Sequence, residues 1–231
     1  MNTLGIIGGI GPESTIDYYR LFVSKYRVIR NDGSYPSLLI NSINMKKMLD
    51  LISVGEYDEV TSFITEELNK LAKAGADFGL LASNTPHVVF DKIKETSSIP
   101  LISIVEATCE YAKNLNVKRA GLLGTKFTMR GGFYQKVFRN NGFEVILPES
   151  IDMELIHNKY MNELVKGNFL PETKKYFLSV IDGLINEHNI DCLILGGTEL
   201  PLLLKDKHYR GIELLNTTQI HVDAAIKELF L

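Results

Sequence analysis

One pattern occurs twice in this chain, and it restricts the fold more than any other feature. Ala120-Gly-Leu-Leu-Gly-Thr125 answers Leu4-Gly-Ile-Ile-Gly-Gly9 at an offset of 116 residues. Asp191-Cys-Leu-Ile-Leu-Gly-Gly197-Thr-Glu-Leu-Pro201 answers Asp77-Phe-Gly-Leu-Leu-Ala-Ser83-Asn-Thr-Pro86 at an offset of 114. Two anchors at nearly one offset indicate two homologous halves. Each anchor is a short apolar run closed by glycine or small polar residues, the signature of a parallel strand buried on both faces.

Helical periodicity fills the spaces between these runs. Glu13-Ser14 opens a helix to about Val28, with Ile16, Tyr19, Phe22, Val23 and Tyr26 on its expected apolar face. Further strands are expected at 38–43, 78–82 and 101–105, with helices at about 55–74 and 86–97. Strand alternating with helix argues for right-handed βαβ units, hence an α/β protein of two pseudo-two-fold-related, Rossmann-like halves. The expected halves are 1–103 plus 210–231 and 104–209, with a last helix from about Thr217 returning to the first. Working residues then belong beyond the carboxyl ends of the strands, with the site in the cleft between the halves.

A chain of 231 residues is long enough for two such domains. At 45% hydrophobic and 23% charged it has the balance of an ordinary globular protein. A net charge of −3 gives no field that would gather nucleic acid or an anionic membrane surface. No apolar run approaches the ~20 residues of a membrane span, and residues 1–4 do not read as a secretory leader. Cys109 and Cys192 are too few for a disulfide framework or a cysteine-rich zinc site, and they fit a reducing, cytoplasmic setting. The histidines at 87, 157, 188, 208 and 221 show no helical metal-ligand spacing, so no metal is expected.

Four turns lie at expected strand ends: 8–11, 83–85, 124–128 and 197–199. Gly8-Gly9-Ile10-Gly11 fails as a dinucleotide fingerprint. Ser14 stands where the last glycine belongs, and Ser42-Ile43-Asn44 ends the second strand without an acidic residue. A tight strand-to-helix turn accounts for the glycines, and Gly11 remains able to admit a carboxylate to backbone amides. Capping alone could explain Ser83, Asn84 and Thr85, or Thr198 and Glu199, or Thr125. A polar pair at matching strand ends of both repeats points further, to a small carboxylate ligand at helix amino ends. Lys46, Lys47 and Lys166 are candidate counter-ions for an acidic side chain, against a surface default. His87, in the first turn of a helix, is either a local hydrogen-bonding residue or an acid/base group. The Gly-x-Ser-x-Gly elbow is absent around Ser83.

Ile6-Ile-Gly-Gly-Ile-Gly-Pro-Glu-Ser-Thr15 with Tyr18-Tyr19 resembles the opening of the aspartate/glutamate racemase family. Ser83-Asn-Thr-Pro-His87 resembles its first catalytic turn, normally Cys-Asn-Thr-x-His. Gly121-Leu-Leu-Gly-Thr125 with Phe127-Thr-Met129 resembles the start of its second half. Leu195-Gly-Gly-Thr-Glu-Leu-Pro201 resembles its second catalytic turn, normally Gly-Cys-Thr-Glu-x-Pro. The resemblance spans the chain in order. It implies racemisation of a small amino acid or dicarboxylate without pyridoxal phosphate or another cofactor, and a homodimer.

The family chemistry places a thiol on each face of the substrate Cα, and here Ser83 and Gly197 stand at those two positions. A thiol titrates near 8.5, whereas a serine hydroxyl needs a neighbouring base and glycine offers nothing. Cys109 and Cys192 fall off the expected site. Two readings follow. In one, the chain works as an isomerase with changed groups: Ser83, Glu199 and His87 are the acid/base candidates, and a water fills the space Gly197 leaves. In the other, it is a non-catalytic binder of an amino acid or dicarboxylate.

Overall fold

In the computed structural model, which describes residues 2–115 and 117–231, both repeats build a parallel sheet with one strand order. The first repeat runs β1 (Leu4–Gly8), α1 (Pro12–Arg30), β2 (Leu38–Ser42), α2 (Met45–Ser53), α3 (Tyr57–Lys73), β3 (Phe78–Leu81), α4 (Phe90–Thr96) and β4 (Leu101–Ile102). The second runs α5 (Ile104–Lys113), β5 (Arg119–Gly124), α6 (Lys126–Arg130), α7 (Phe133–Asn140), β6 (Glu144–Ile146), α8 (Ser150–Asn162), α9 (Pro171–His188) and β7 (Cys192–Gly196). It closes with α10 (Leu200–Leu203), β8 (His208–Tyr209), β9 (Ile212–Asn216) and α11 (Thr217–Glu228). The sheets are ordered β2-β1-β3-β4 and β6-β5-β7-β9-β8, so β1, β2, β3 and β4 correspond to β5, β6, β7 and β9. Among the described strands only β8 is antiparallel, at the edge of the second sheet. The chain divides into a unit of residues up to Ile104 with His221–Leu231, and a unit Val105–Ile220. Residues 212–216 pair with β7, so the return to the first unit begins at His221 rather than at 210.

The matching residues have matching physical roles. Asp77, ahead of β3, accepts the Thr3 amide at 2.7 Å and donates its own amide to the Thr3 carbonyl at 2.9 Å. Asp191, ahead of β7, accepts the Lys118 and Arg119 amides at 2.7 and 2.8 Å and donates to the Arg119 carbonyl at 2.7 Å. Each aspartate thus sets the register of its strand against the central one. Gly5 in β1 lies under Leu71 and Ala76, and a Cβ there would meet them at 3.0–3.2 Å. Gly121 in β5 lies equally close under Leu184, Ile190 and Leu193. Glycine in the central strand lets a covering layer reach the sheet in each repeat.

In the first unit, Leu4 and Ile6 of β1 and Phe78, Leu80 and Ala82 from β3 onward face one side, as alternation requires. Tyr18, Phe22 and Tyr26 of α1, Val222, Ala225 and Ile226 of α11, and Leu229 just after it cover it. The buried line of α1 is therefore Ser14, Tyr18, Phe22 and Tyr26. Ile16 and Tyr19, expected on the apolar face, are 44% and 50% exposed because α11 takes the neighbouring line. Pro12 starts α1, and Asn31 ends it in a left-handed conformation with its amide on the Arg27 carbonyl.

Three local expectations need correction. The short helix α2 went unforeseen; Asn44 caps it by accepting the Lys46 and Lys47 amides at 3.0 and 3.3 Å. The helix expected at 86–97 is a 3₁₀ turn, Thr85–Val89, followed by α4. The strand expected over 101–105 stops at Ile102. Two buried histidines take over the chain there. His221 Nε2–H donates to the Ile102 carbonyl at 2.9 Å, and the Ile104 amide donates to His87 Nε2 at 3.3 Å.

With its Nε2 proton committed to a carbonyl, His221 accepts the Tyr18 hydroxyl at Nδ1, 2.8 Å away. Burial holds its pKa down to about 4. An unfolded histidine takes a proton near pH 6.5, whereas the native one resists until about 4, so stability is present at neutral pH and falls as pH drops through that window. The contribution is about 1.4 kcal/mol per pH unit. Urea unfolding followed from pH 7 to pH 4.5 should show this slope. His221→Gln should be less stable at pH 7 and should lose about one proton's share of it; an unchanged slope would refute the assignment.

Candidate active site

The turn after β3 places four of the expected residues out of solvent. Ser83, Asn84, Thr85 and His87 are all buried. The chain reaches them through a strand buried at every position and leaves through Pro86, which starts the 3₁₀ turn. Nearby, Ser14 donates its hydroxyl to the Gly11 carbonyl at 2.8 Å and lies 3.3 Å from the Ala82 carbonyl, tying the first turn to the third strand. Gly9 has φ +79° and packs against the Ile43 backbone, and Gly11 has φ +38° as it caps α1, so both positions favour glycine.

His87 is not the base that Ser83 would need. Its Nε2 accepts the Ile104 amide, which leaves the proton on Nδ1. Its ring stacks on Phe90 at 4.6 Å. Burial, and then the neighbouring His221, push its pKa down to about 3, against a smaller opposing effect of the Asn84 and Ser83 backbone. His87 is thus a neutral brace between the 83–87 turn and the start of α5. The Ser83 hydroxyl, 6% exposed as a residue, has no hydrogen bond among the described residues.

The corresponding turn after β7 carries the charge. Glu199 is 2% exposed, and its Oε2 accepts the Thr198 hydroxyl at 3.1 Å and the Tyr160 phenol. The Glu199 amide in turn donates to the Tyr160 oxygen at 3.3 Å. Burial, and then the Glu199 carboxylate, hold the Tyr160 phenol well above its ordinary range, so it stays protonated. Tyr160 comes from α8, whose buried line is Met153, Ile156 and Tyr160.

Gly197 leaves no space for a water. A Cβ built there would meet Tyr160 Cε2, Oη and Cζ at 2.5, 2.6 and 2.8 Å. The tyrosine ring occupies the volume that a side chain at 197 would fill, which corrects the expectation of a solvent molecule. No motif around residue 160 singles it out. The available signal is indirect: a glycine beside a buried carboxylate implies that some other side chain fills the gap.

The remaining candidates are engaged locally or lie at the surface. Thr125 caps α6, accepting the Thr128 amide at 3.3 Å. Lys46 is exposed and pairs with Asp50 at 2.5 Å, and Lys47 lies over the Phe63 ring at 4.2 Å. Lys166 is exposed at the end of a 3₁₀ turn. Both cysteines are buried. Burial pushes the Cys109 thiol up to about 11 and the Cys192 thiol up to about 12. Cys192 opens β7, at the far end of that strand from Gly197. Among the described residues, no group of three His, Cys, Asp or Glu side chains is placed to hold a metal, and no helix is long and apolar enough to cross a membrane.

The family model for Asp/Glu/Hydantoin racemase matches residues 7–225. The chain belongs to this racemase family. It is 31% identical over 204 residues to the broad specificity amino-acid racemase RacX of Bacillus subtilis, covering 87% of each chain. Among solved structures, it resembles an aspartate racemase homologue from Pyrococcus horikoshii, with a TM-score of 0.83, 32% identity and all of both chains covered. The aspartate racemase of Picrophilus torridus shares the fold at a TM-score of 0.75 and 22% identity, over 100% of this chain and 95% of that one.

Within the racemase fold, the contact between position 197 and Tyr160 is directly measurable. Gly197→Ala should destabilise the protein by about 1–3 kcal/mol through overpacking. In a Tyr160→Ala background the same change should cost a few tenths at most. Additive costs in this double-mutant cycle would show that Tyr160 does not fill the position.

Proposed function

We propose that this racemase-family protein binds a small amino acid or dicarboxylate and exchanges the proton at its Cα, without pyridoxal phosphate and without a pair of thiols. The observation that carries this reading is the pair of buried polar turns, one closing β3 and one closing β7, at corresponding positions of two sheets with one strand order. Backbone amides near Gly11, Asn84, Thr85, Thr125 and Thr198 are suited to a ligand carboxylate. Glu199 is the base. Ser83, buried with an unpaired hydroxyl, serves as hydrogen-bond donor and proton carrier rather than as base, since His87 is turned to the Ile104 amide. RacX, by its name, is broad in specificity, so aspartate and glutamate head the candidate substrates without closing the set.

With a base on one turn only, exchange should outrun inversion. In D₂O, L-aspartate or L-glutamate should gain deuterium at Cα several-fold faster than the D-enantiomer accumulates. Ser83→Ala should slow inversion by about 10²-fold, the scale of one lost acid/base group. Mass spectrometry and chiral chromatography read the two quantities separately. Equal rates of exchange and inversion would overturn the one-sided assignment.

A second reading, a binder that has lost the chemistry, is favoured by the state of the two thiols. Both are buried and held protonated, the reverse of what a catalytic cysteine requires. Calorimetric binding of L-aspartate with no deuterium uptake would establish that reading over the first.

A further inference from the structure

We infer that Tyr160 is a catalytic residue, forming with Glu199 a two-step proton relay at the place where residue 197 has no side chain. This rests on the proposed chemistry at Cα and names the group that performs one half of it. The position of the hydroxyl supports it first. Tyr160 Oη lies 2.6 Å from where a Cβ at 197 would stand, so an ionisable oxygen already occupies the region that any side chain at 197 would have used. Connectivity supports it second. The phenol donates to Glu199 Oε2 and accepts from the Glu199 amide, and the Thr198 hydroxyl holds the same carboxylate oxygen. A buried carboxylate, a phenol and a hydroxyl gathered at the carboxyl end of a parallel strand stand where such sheets bind their ligands. A carboxyl group at 2% exposure is costly to bury, and the Thr198 hydroxyl and the Tyr160 phenol both donate to it.

The relay balances without any further reactant. The substrate Cα–H bond breaks and its proton goes to the Tyr160 oxygen. The proton that Tyr160 carried passes along the existing hydrogen bond to the Glu199 carboxylate. The electron pair of the broken bond delocalises into the substrate's own carboxylate. The reverse sequence returns a proton, or a deuteron from solvent, to the same face. A protonated phenol beside an ionised carboxylate is the form this step requires, and burial with the Glu199 charge holds Tyr160 in it.

Tyr160→Phe keeps the ring against Gly197 and removes only the hydroxyl. With L-aspartate as probe, Cα deuterium uptake in the saturated variant should fall by about 10²-fold or more. Its calorimetric Kd for L-aspartate should stay within a few-fold, a split that a purely structural tyrosine would not give. Glu199→Gln, which retains the phenol and an acceptor, should lose exchange in the same way and guards against a folding failure of the first variant. If Tyr160→Phe exchanges as fast as wild type while Glu199→Gln does not, the relay is overturned and the proposed function, with Glu199 as base, stands. If both variants exchange as fast as wild type, the relay and the Glu199 base assignment are both overturned. If wild type binds L-aspartate but incorporates no deuterium, the relay is overturned and the protein is a binder. If wild type neither binds nor exchanges L-aspartate or L-glutamate, both are overturned.

Discussion

Parallel pairing of a glycine-bearing central strand with its two neighbours is the constraint from which the remaining structure follows. Gly5 in β1 and Gly121 in β5 hold corresponding positions, and at each a Cβ would meet a neighbouring leucine at about 3 Å. That approach keeps both faces of the sheet covered, which a parallel sheet requires. Polar chemistry is left to the strand ends, because β1, β3 and β7 are buried along their lengths. Ser83 and Gly197 stand where they do because β3 and β7 lie beside these central strands in the same register.

The two turns have diverged in what they do with that shared location. In the first unit, His87 and His221 grip successive backbone groups, the Ile104 amide and the Ile102 carbonyl, and end β4 after two residues. Both rings are held neutral by burial, so they act as rigid hydrogen-bonding struts and not as charges. In the second unit the turn after β7 carries no histidine. It instead buries a carboxylate, and α8 supplies a phenol to satisfy it. Buried polar networks of this kind are costly unless each member is paired, which explains why Thr198 and Tyr160 both donate to Glu199 Oε2 while the Glu199 amide donates to the Tyr160 oxygen.

Strand positions, the doubled architecture and the return of the last helix were legible from residues because they rest on local, periodic rules. Asp77 and Asp191 could be aligned by eye since each does one job, holding the amide ahead of the central strand. Legibility failed wherever a distant side chain decided the outcome. Ile16 and Tyr19 fit a helical stripe as well as Tyr18 does, and only the arrival of α11 selects between the lines. The end of β4 depends on His221, far along the chain, and the fate of the gap at Gly197 depends on Tyr160 in a helix with no motif of its own. The strand-end residues Ser83, Asn84, Thr85, Thr198 and Glu199 were legible as a set, since the repeat points to them twice. Their partners were not.

Counting cysteines is a poor guide to this chemistry. The chain has two thiols, and a two-thiol mechanism asks for two, yet both are in core positions where burial suppresses ionisation. What the strand ends offer is asymmetric. One turn presents an uncharged hydroxyl, beside a histidine whose acceptor nitrogen is already taken. The other presents a carboxylate with a phenol in the place of a missing side chain. A symmetric two-base mechanism needs groups of similar basicity on both sides, because each must remove the proton that the other returns. Serine and the tyrosine–glutamate pair are far apart on that scale. Under the proposed chemistry, proton transfer therefore starts and ends at Glu199, and the asymmetry follows from two corresponding turns that carry different atoms.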